Sequence, residues 1–221
     1  MREFADAQQL LVTALNSPSI VYWLKKIRDR RGVDLLRHSI RVGGMAGALA
    51  SQTNTGDLDI IEICRGGLLH DIGKLLISSD ILESEYRLDK REWTEMQQHP
   101  GRGERLIQRF GLTFSQSVKQ AIHHHHERWD GDGYPDGLKG GGIPLVARIV
   151  AIADGLDAML SARSYRAALS PCSVRRILMS EKGTRYDPSI VPIAQVMFSE
   201  LEVVRMTCEK EFTGNFLQDF L

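Results

Sequence analysis

An all-α fold is predicted by three observations. Apolar residues recur at helical spacing along most of the 221 residues, and strand-like alternation is nearly absent. Capping residues and Gly or Pro breaks divide the pattern into pieces of helical length. Hydrophobic residues make up 43% of the chain and charged residues 25%, the mix of an ordinary globular protein with one large domain, or one domain and an appendage. No internal repeat or low-complexity tract interrupts it.

The elements follow in order. Residues 3–15 and about 19–30 form two short helices around Asn16-Ser17-Pro18. Asp34 opens a helix to about Gln52, with Leu35, Ile40, Val42, Met45 and Leu49 as candidate buried positions. Its Gly43-Gly44 pair lowers helix propensity and predicts close packing of a neighbour. Thr53-Asn54-Thr55-Gly56 breaks the chain, and Asp57 is placed to cap a helix ending at His70-Asp71. Asp89-Lys90-Arg91-Glu92 has capping-box spacing and starts a short helix before His99-Pro100. Helices are expected from Gly101 to Phe110 and from Ser115 to about Glu127. The loop 130–142 holds six glycines and one proline, too many for regular structure. Helix resumes over Ile143–Leu160, again after the Ser170-Pro171 cap, and from Asp187-Pro188 to near Val204. Residues 205–221 carry no strong pattern and are read as a tail or a short docking helix. The organisation expected is an N-terminal helical appendage (1–33), a main domain (34–204) and a C-terminal tail (205–221).

Bulk properties exclude several classes. Net charge is zero, so no broad face for a nucleic-acid polymer is implied. No apolar run approaches the ~20 residues that cross a bilayer. The N-terminus lacks a signal-peptide pattern, which leads us to expect a cytoplasmic protein. Cys64, Cys172 and Cys208 are isolated and read as buried thiols in a reducing compartment, with neither a zinc ribbon nor a disulfide framework.

Chemistry concentrates in two segments. His70-Asp71-Ile72-Gly73-Lys74 joins an imidazole and a carboxylate at a helix end. His125-His126-Glu127 leads into Arg128-Trp129-Asp130-Gly131-Asp132-Gly133-Tyr134-Pro135-Asp136-Gly137. A single helical histidine such as His38 is more often structural, and His99 alone fits a helix end. Together they suggest metal ligands. Consecutive helical side chains diverge by about 100°, so neighbours reach one metal from different directions or serve two. A carboxylate has two oxygens and can bridge. Histidines and carboxylates without thiolate suit iron, manganese, cobalt, nickel or zinc. A bridged pair of metals activates water and clamps a phosphoryl group.

His38, His70-Asp71, His99, His125-His126 and Asp154, with the loop Asp130–Gly137 and the segment Ile143-Pro144-Leu145-Val146-Ala147-Arg148-Ile149, resemble in order and spacing the HD-GYP branch of the HD-domain phosphohydrolases. The resemblance runs from about Asp34 to about Pro188. It implies an HD-domain helical bundle with a glycine-rich Gly-Tyr-Pro loop, and hydrolysis of cyclic dinucleotides, chiefly cyclic di-GMP to pGpG, with onward cleavage to GMP left open.

The resemblance implies two divalent metal ions, first iron or manganese, with cobalt, nickel or zinc as alternatives. His38, His70, Asp71 and Asp154 would hold one; Asp71 would bridge to a second held by His99, His125 and His126. A hydroxide between them would attack phosphorus. Lys74 would protonate the leaving oxygen or hold a phosphate oxygen. Arg163 and Arg166 resemble the family's phosphate-gripping pair. Tyr134 offers a ring and hydroxyl to substrate, with a purely structural loop as the equal alternative. Glu127, Asp132 and Asp136 read as loop residues or as partners orienting imidazoles from behind, and His123 and His124 as helix surface.

The pattern also departs from the family. Asp34 stands where some members use Glu for a third metal; aspartate reaches less far, which disfavours that metal. Ser84-Glu85-Tyr86 replaces the usual Lys-Pro-Gly segment, which would alter the pocket rim. The 33 residues before the match are too few for a sensory domain, so regulation is expected from elsewhere, from the short N-terminal helices or from a partner. Two alternatives stay open: another cyclic dinucleotide such as cyclic GMP-AMP, or a weakly catalytic module binding nucleotide or a signalling partner through the Gly-Tyr-Pro loop. A homodimer is also left open.

Overall fold

The computed structural model describes residues 2–55, 59–84, 86–110, 114–162 and 167–213. Eleven α-helices stand among them and no strand does; one isolated bridge joins Lys182 and Tyr186. α1 (Arg2–Leu15) and α2 (Pro18–Ser51) flank the predicted Asn-Ser-Pro break. α2 kinks at Gly32, whose φ of 80° suits a residue without Cβ, and this accounts for the separate helices expected before and after residue 32. α3 (Ile60–Leu69) is capped by Asp59, whose side chain accepts from the Ile61 N–H. The expected cap, Asp57, lies outside the described residues.

A 3₁₀ turn over Ile72–Leu76 follows, then α4 (Ser79–Leu82), α5 (Lys90–Met96), α6 (His99–Arg109) and α7 (Gln116–His124). The capping box forms as spaced: Asp89 accepts from Glu92 N–H and Glu92 from Asp89 N–H, both at 2.8 Å. α6 begins at His99, because Pro100 fits a first turn that needs no N–H donor. α7 ends sooner than expected, so His125 and His126 stand in the turn after it. α8 (Leu145–Leu160) and α9 (Pro171–Ser180) follow, with Ser170 capping α9 through the Ser173 N–H.

The single helix expected over 187–204 is two, α10 (Ile190–Val196) and α11 (Phe198–Thr213). Helix therefore runs through residues 205–213, and Arg205 reaches back to α8. Nothing else is described of the expected tail.

α2 is the central helix. It packs against α1, α3, α8 and α11, and α3 packs in turn on α7 and α8. Ile40, Val42, Met45 and Leu49 are buried as expected, while Leu35 is half-buried against the same core. Cys64 and Cys208 are buried; Cys172 is exposed, since it sits in the first turn of α9.

The contact that sets the site is the crossing of α2 and α3. A Cβ on Gly67 would lie 2.9 Å from Gly43 Cα, and one on Gly43 would lie 2.7 Å from the Leu68 side chain. Only backbone fits there, which brings His38 on α2 towards His70 after α3. Gly67→Ala should cost about 1–3 kcal/mol of stability through overpacking. Urea denaturation checks this, and an unchanged midpoint would contradict it.

Candidate metal centre

The segments thread their polar side chains into one buried spot. His70, Asp71, His99 and His125 are buried; His38, His126 and Asp154 are half-buried. Asp71 lies at the middle. Its Oδ1 faces His99 Nε2 at 3.2 Å and His125 Nε2 at 3.8 Å. Its Oδ2 faces His70 Nε2 at 3.3 Å and His38 Nε2 at 3.5 Å, and accepts from Lys74 Nζ. Asp154 Oδ1 closes the second side, 3.3 Å from His38 Nε2 and 3.9 Å from His70 Nε2. His126 joins Asp71, His99 and His125 in one group of converging donors; His38 and His70 form another with the same Asp71.

The ring orientations are set from behind. Nδ1 of His70 donates to Gly67 O at 2.7 Å, and Nδ1 of His99 to Met96 O at 2.8 Å. Nδ1 of His125 donates to the Ala121 and Ile122 carbonyls at 3.1 and 3.0 Å. Each bond fixes the tautomer and leaves the Nε2 lone pair pointing inward. Inward nitrogens then meet: His38 and His70 Nε2 are 3.2 Å apart, His99 and His125 Nε2 3.3 Å. Two nitrogen lone pairs hold such a distance when a cation or proton lies between them. Asp71 Oδ1, though buried, accepts no hydrogen bond. This donor set, nitrogen and oxygen without thiolate, fits divalent metal ions.

Electrostatics favours ligand forms. Burial holds His125 down at about 4, and burial with the neighbouring His125 and His99 holds His126 well below its ordinary value, so both are neutral at pH 7. Burial opposes ionisation of Asp71 and Asp154, but Lys74 and His70 keep the first, and His38 the second, well below the usual carboxylate range. His38 goes the other way. Burial would lower it, yet Asp154, Asp157 and Asp71 hold it well above its ordinary value.

Asp157 was not singled out from sequence. It is buried and accepts from His38 Nδ1 at 2.8 Å, Arg41 Nε at 2.6 Å and Arg205 Nε at 2.8 Å. It therefore orients His38 as backbone carbonyls orient His70, His99 and His125. The available signal was helical spacing: Asp157 lies three residues after Asp154, and Arg41 three after His38, one face each.

The loop places the remaining residues. Glu127 accepts from the N–H groups of Asp136 and Leu138 at 2.8 and 3.0 Å, and so shapes the loop instead of orienting an imidazole. Tyr134 stacks on His126, centroids 4.8 Å apart, with Trp93 edge-on to it at 6.3 Å. Burial, then the Asp71 and Asp154 charges, push its phenol up, so it stays an O–H donor. Asp132 is exposed. Asp136 approaches His123 and His124 and not the Asp71 groups. Those two histidines, read as surface, are half-buried. Asp34 is exposed beside Arg37, 3.7 Å away. Arg163, Arg166 and Glu85 lie outside the described residues, and Tyr86 is exposed.

Comparison places this fold and site. The family model described as HD domain matches residues 24–190. The chain belongs to the HD domain family. It is 33% identical over 189 residues to a 3'3'-cGAMP-specific phosphodiesterase 2 of Vibrio cholerae serotype O1, covering 86% of this chain and 36% of that protein. It is 36% identical to a cyclic di-GMP phosphodiesterase of Thermotoga maritima, covering 76% of this chain and 46% of that one. With the cyclic di-GMP phosphodiesterase response regulator RpfG of Xanthomonas campestris it shares 38% identity, over 68% and 40% respectively. The chain thus spans less than half the length of these relatives. Among solved structures, an HDG"Y"P protein from Bdellovibrio bacteriovorus shares the fold at a TM-score of 0.61 and 17% identity, covering 90% of this chain and 69% of that one.

Asp157→Asn should leave Arg41 and Arg205 with buried charge no longer balanced, at a cost on the order of 3–5 kcal/mol. Chemical denaturation of the metal-free variant reads this directly; a loss under about 1 kcal/mol would show that the cluster does not hold the fold.

Proposed function

We propose that the protein is a metal-dependent phosphodiesterase that hydrolyses a cyclic dinucleotide, cyclic di-GMP first, to its linear form pGpG. One observation carries the reading: a single buried carboxylate, Asp71, presents one oxygen to each of two imidazole groups. That arrangement suits a pair of divalent cations, iron or manganese by preference. Bound there, they would supply activated water at neutral pH and neutralise charge on the transferring phosphoryl group.

The chain's own residues have distinct roles in this reading. His38, His70 and Asp154 hold one side of Asp71, and His99, His125 and His126 the other. Lys74 keeps Asp71 ionised from the free protein onward. Its ammonium stands next to the reacting centre and is placed to neutralise or protonate a leaving oxygen. Tyr134 lies over His126 with its hydroxyl protonated, which suits a phosphate or base edge at the mouth. Arg163 and Arg166 would grip phosphate by resemblance alone.

A second reading is favoured by the relatives themselves. One of those described above is named for 3'3'-cGAMP and two for cyclic di-GMP, so cyclic GMP-AMP is the alternative substrate. Incubating iron- or manganese-loaded protein with both nucleotides, with chromatography of the products, tests the reading. We expect linear dinucleotide from at least one, and Asp71→Asn to reduce the rate by more than the roughly 10–100-fold that losing an outer partner of a ligand costs. No turnover of either nucleotide by metal-loaded protein would overturn it.

A further inference from the structure

We propose that His123, His124 and Asp136 form a separate divalent-cation site that pins the Gly-Tyr-Pro loop to the end of α7. The donors are His123 Nε2, His124 Nδ1 and Asp136 Oδ2. Asp136 Oδ2 is 3.3 Å from the first and 3.6 Å from the second, and all three converge within 4.8 Å. Two ligands bound at about 2.0–2.1 Å in a tetrahedral zinc site stand about 3.3–3.4 Å apart, so these spacings need little adjustment to share one ion.

Three further features support a cation. His124 Nδ1 is shielded from solvent and has no hydrogen-bond partner. Glu104 Oε2 lies 2.6 Å from His123 Nδ1, close although too bent for a hydrogen bond. A small ring rotation would make it the carboxylate that orients a ligating imidazole through its far nitrogen. Glu127 Oε1, 3.9 Å from His124 Nδ1, adds a third carboxylate to the surroundings. Imidazole nitrogen with carboxylate oxygen suits a borderline ion such as Zn²⁺ or Ni²⁺.

The site is distinct from the Asp71 centre. His125 turns its Nε2 to Asp71, whereas His123 and His124 meet a loop residue that does not approach Asp71. It also has a mechanical consequence. The Asp136 backbone is already bonded to Glu127, and a cation would fix its side chain as well. Tyr134, two residues earlier, would then be held over His126. Zinc here would act as a clasp on the loop.

Crystals of the whole protein equilibrated with Zn²⁺, measured by anomalous scattering at the zinc edge, test this. We expect a peak within about 2.0–2.2 Å of the three donor atoms. It should vanish in the near-isosteric His123→Gln/Asp136→Asn variant, while any peak at Asp71 persists. Equilibrium dialysis should show the variant binding one fewer zinc per chain, which keeps the test open should the variant not crystallise. No peak between His123, His124 and Asp136 at saturating zinc, or equal zinc content in both proteins, would overturn the proposal. A peak there with none at Asp71 would sustain this site and show it to be independent of the Asp71 centre, whose own test is turnover with iron or manganese.

Discussion

The rest of the structure depends on a buried carboxylate with a hydrogen-bond partner on one oxygen only. Asp71 is ionised and 1% exposed, has Lys74 on one oxygen, and has no hydrogen-bond donor on the other. Burying such a charge without compensation costs several kcal/mol. Five imidazoles and a second carboxylate converge around it, most with their inward nitrogens stripped of protons by bonds made behind the ring. The arrangement is unfavourable as a packed core and favourable as a cage for cations.

The fold serves this convergence through close backbone contact. Gly43 and Gly67 let α2 and α3 approach until His38 and His70 face each other. The turn after α7, the start of α6 and the middle of α8 bring in the remaining donors. Helix ends supply most of them: His70 follows α3, His99 starts α6, and His125 and His126 follow α7. At a helix end the preceding carbonyls are exposed, and the same carbonyls then accept from Nδ1. The unsatisfied backbone of each helix thus sets the imidazole orientation. Asp157, with Arg41 and Arg205, does this for His38, whose position in mid-helix leaves no carbonyl available.

Much of this was legible in the sequence. Helical period, the Asp89 box and the Ser170 cap located elements because those signals are local. His70-Asp71, His99 and His125-His126 stood out because polar ligand types clustered at helix ends. The Gly43-Gly44 pair announced close packing. What stayed hidden was tertiary. Asp157 and Arg205 are ordinary helical charges until α11 folds across α8. His123 and His124 read as surface until the loop returns Asp136 to them. The break at Met197 has no Gly or Pro to mark it, and the cap of α3 falls on Asp59, two residues past the Asp57 expected from sequence.

The central claim is that Asp71 joins two cations, and electron paramagnetic resonance of manganese-loaded protein tests it most directly. Two manganese ions sharing a carboxylate couple magnetically, so the native protein should give the spectrum of an exchange-coupled pair, and Asp71→Asn should lose it. A spectrum of isolated ions in the fully loaded native protein would contradict the account.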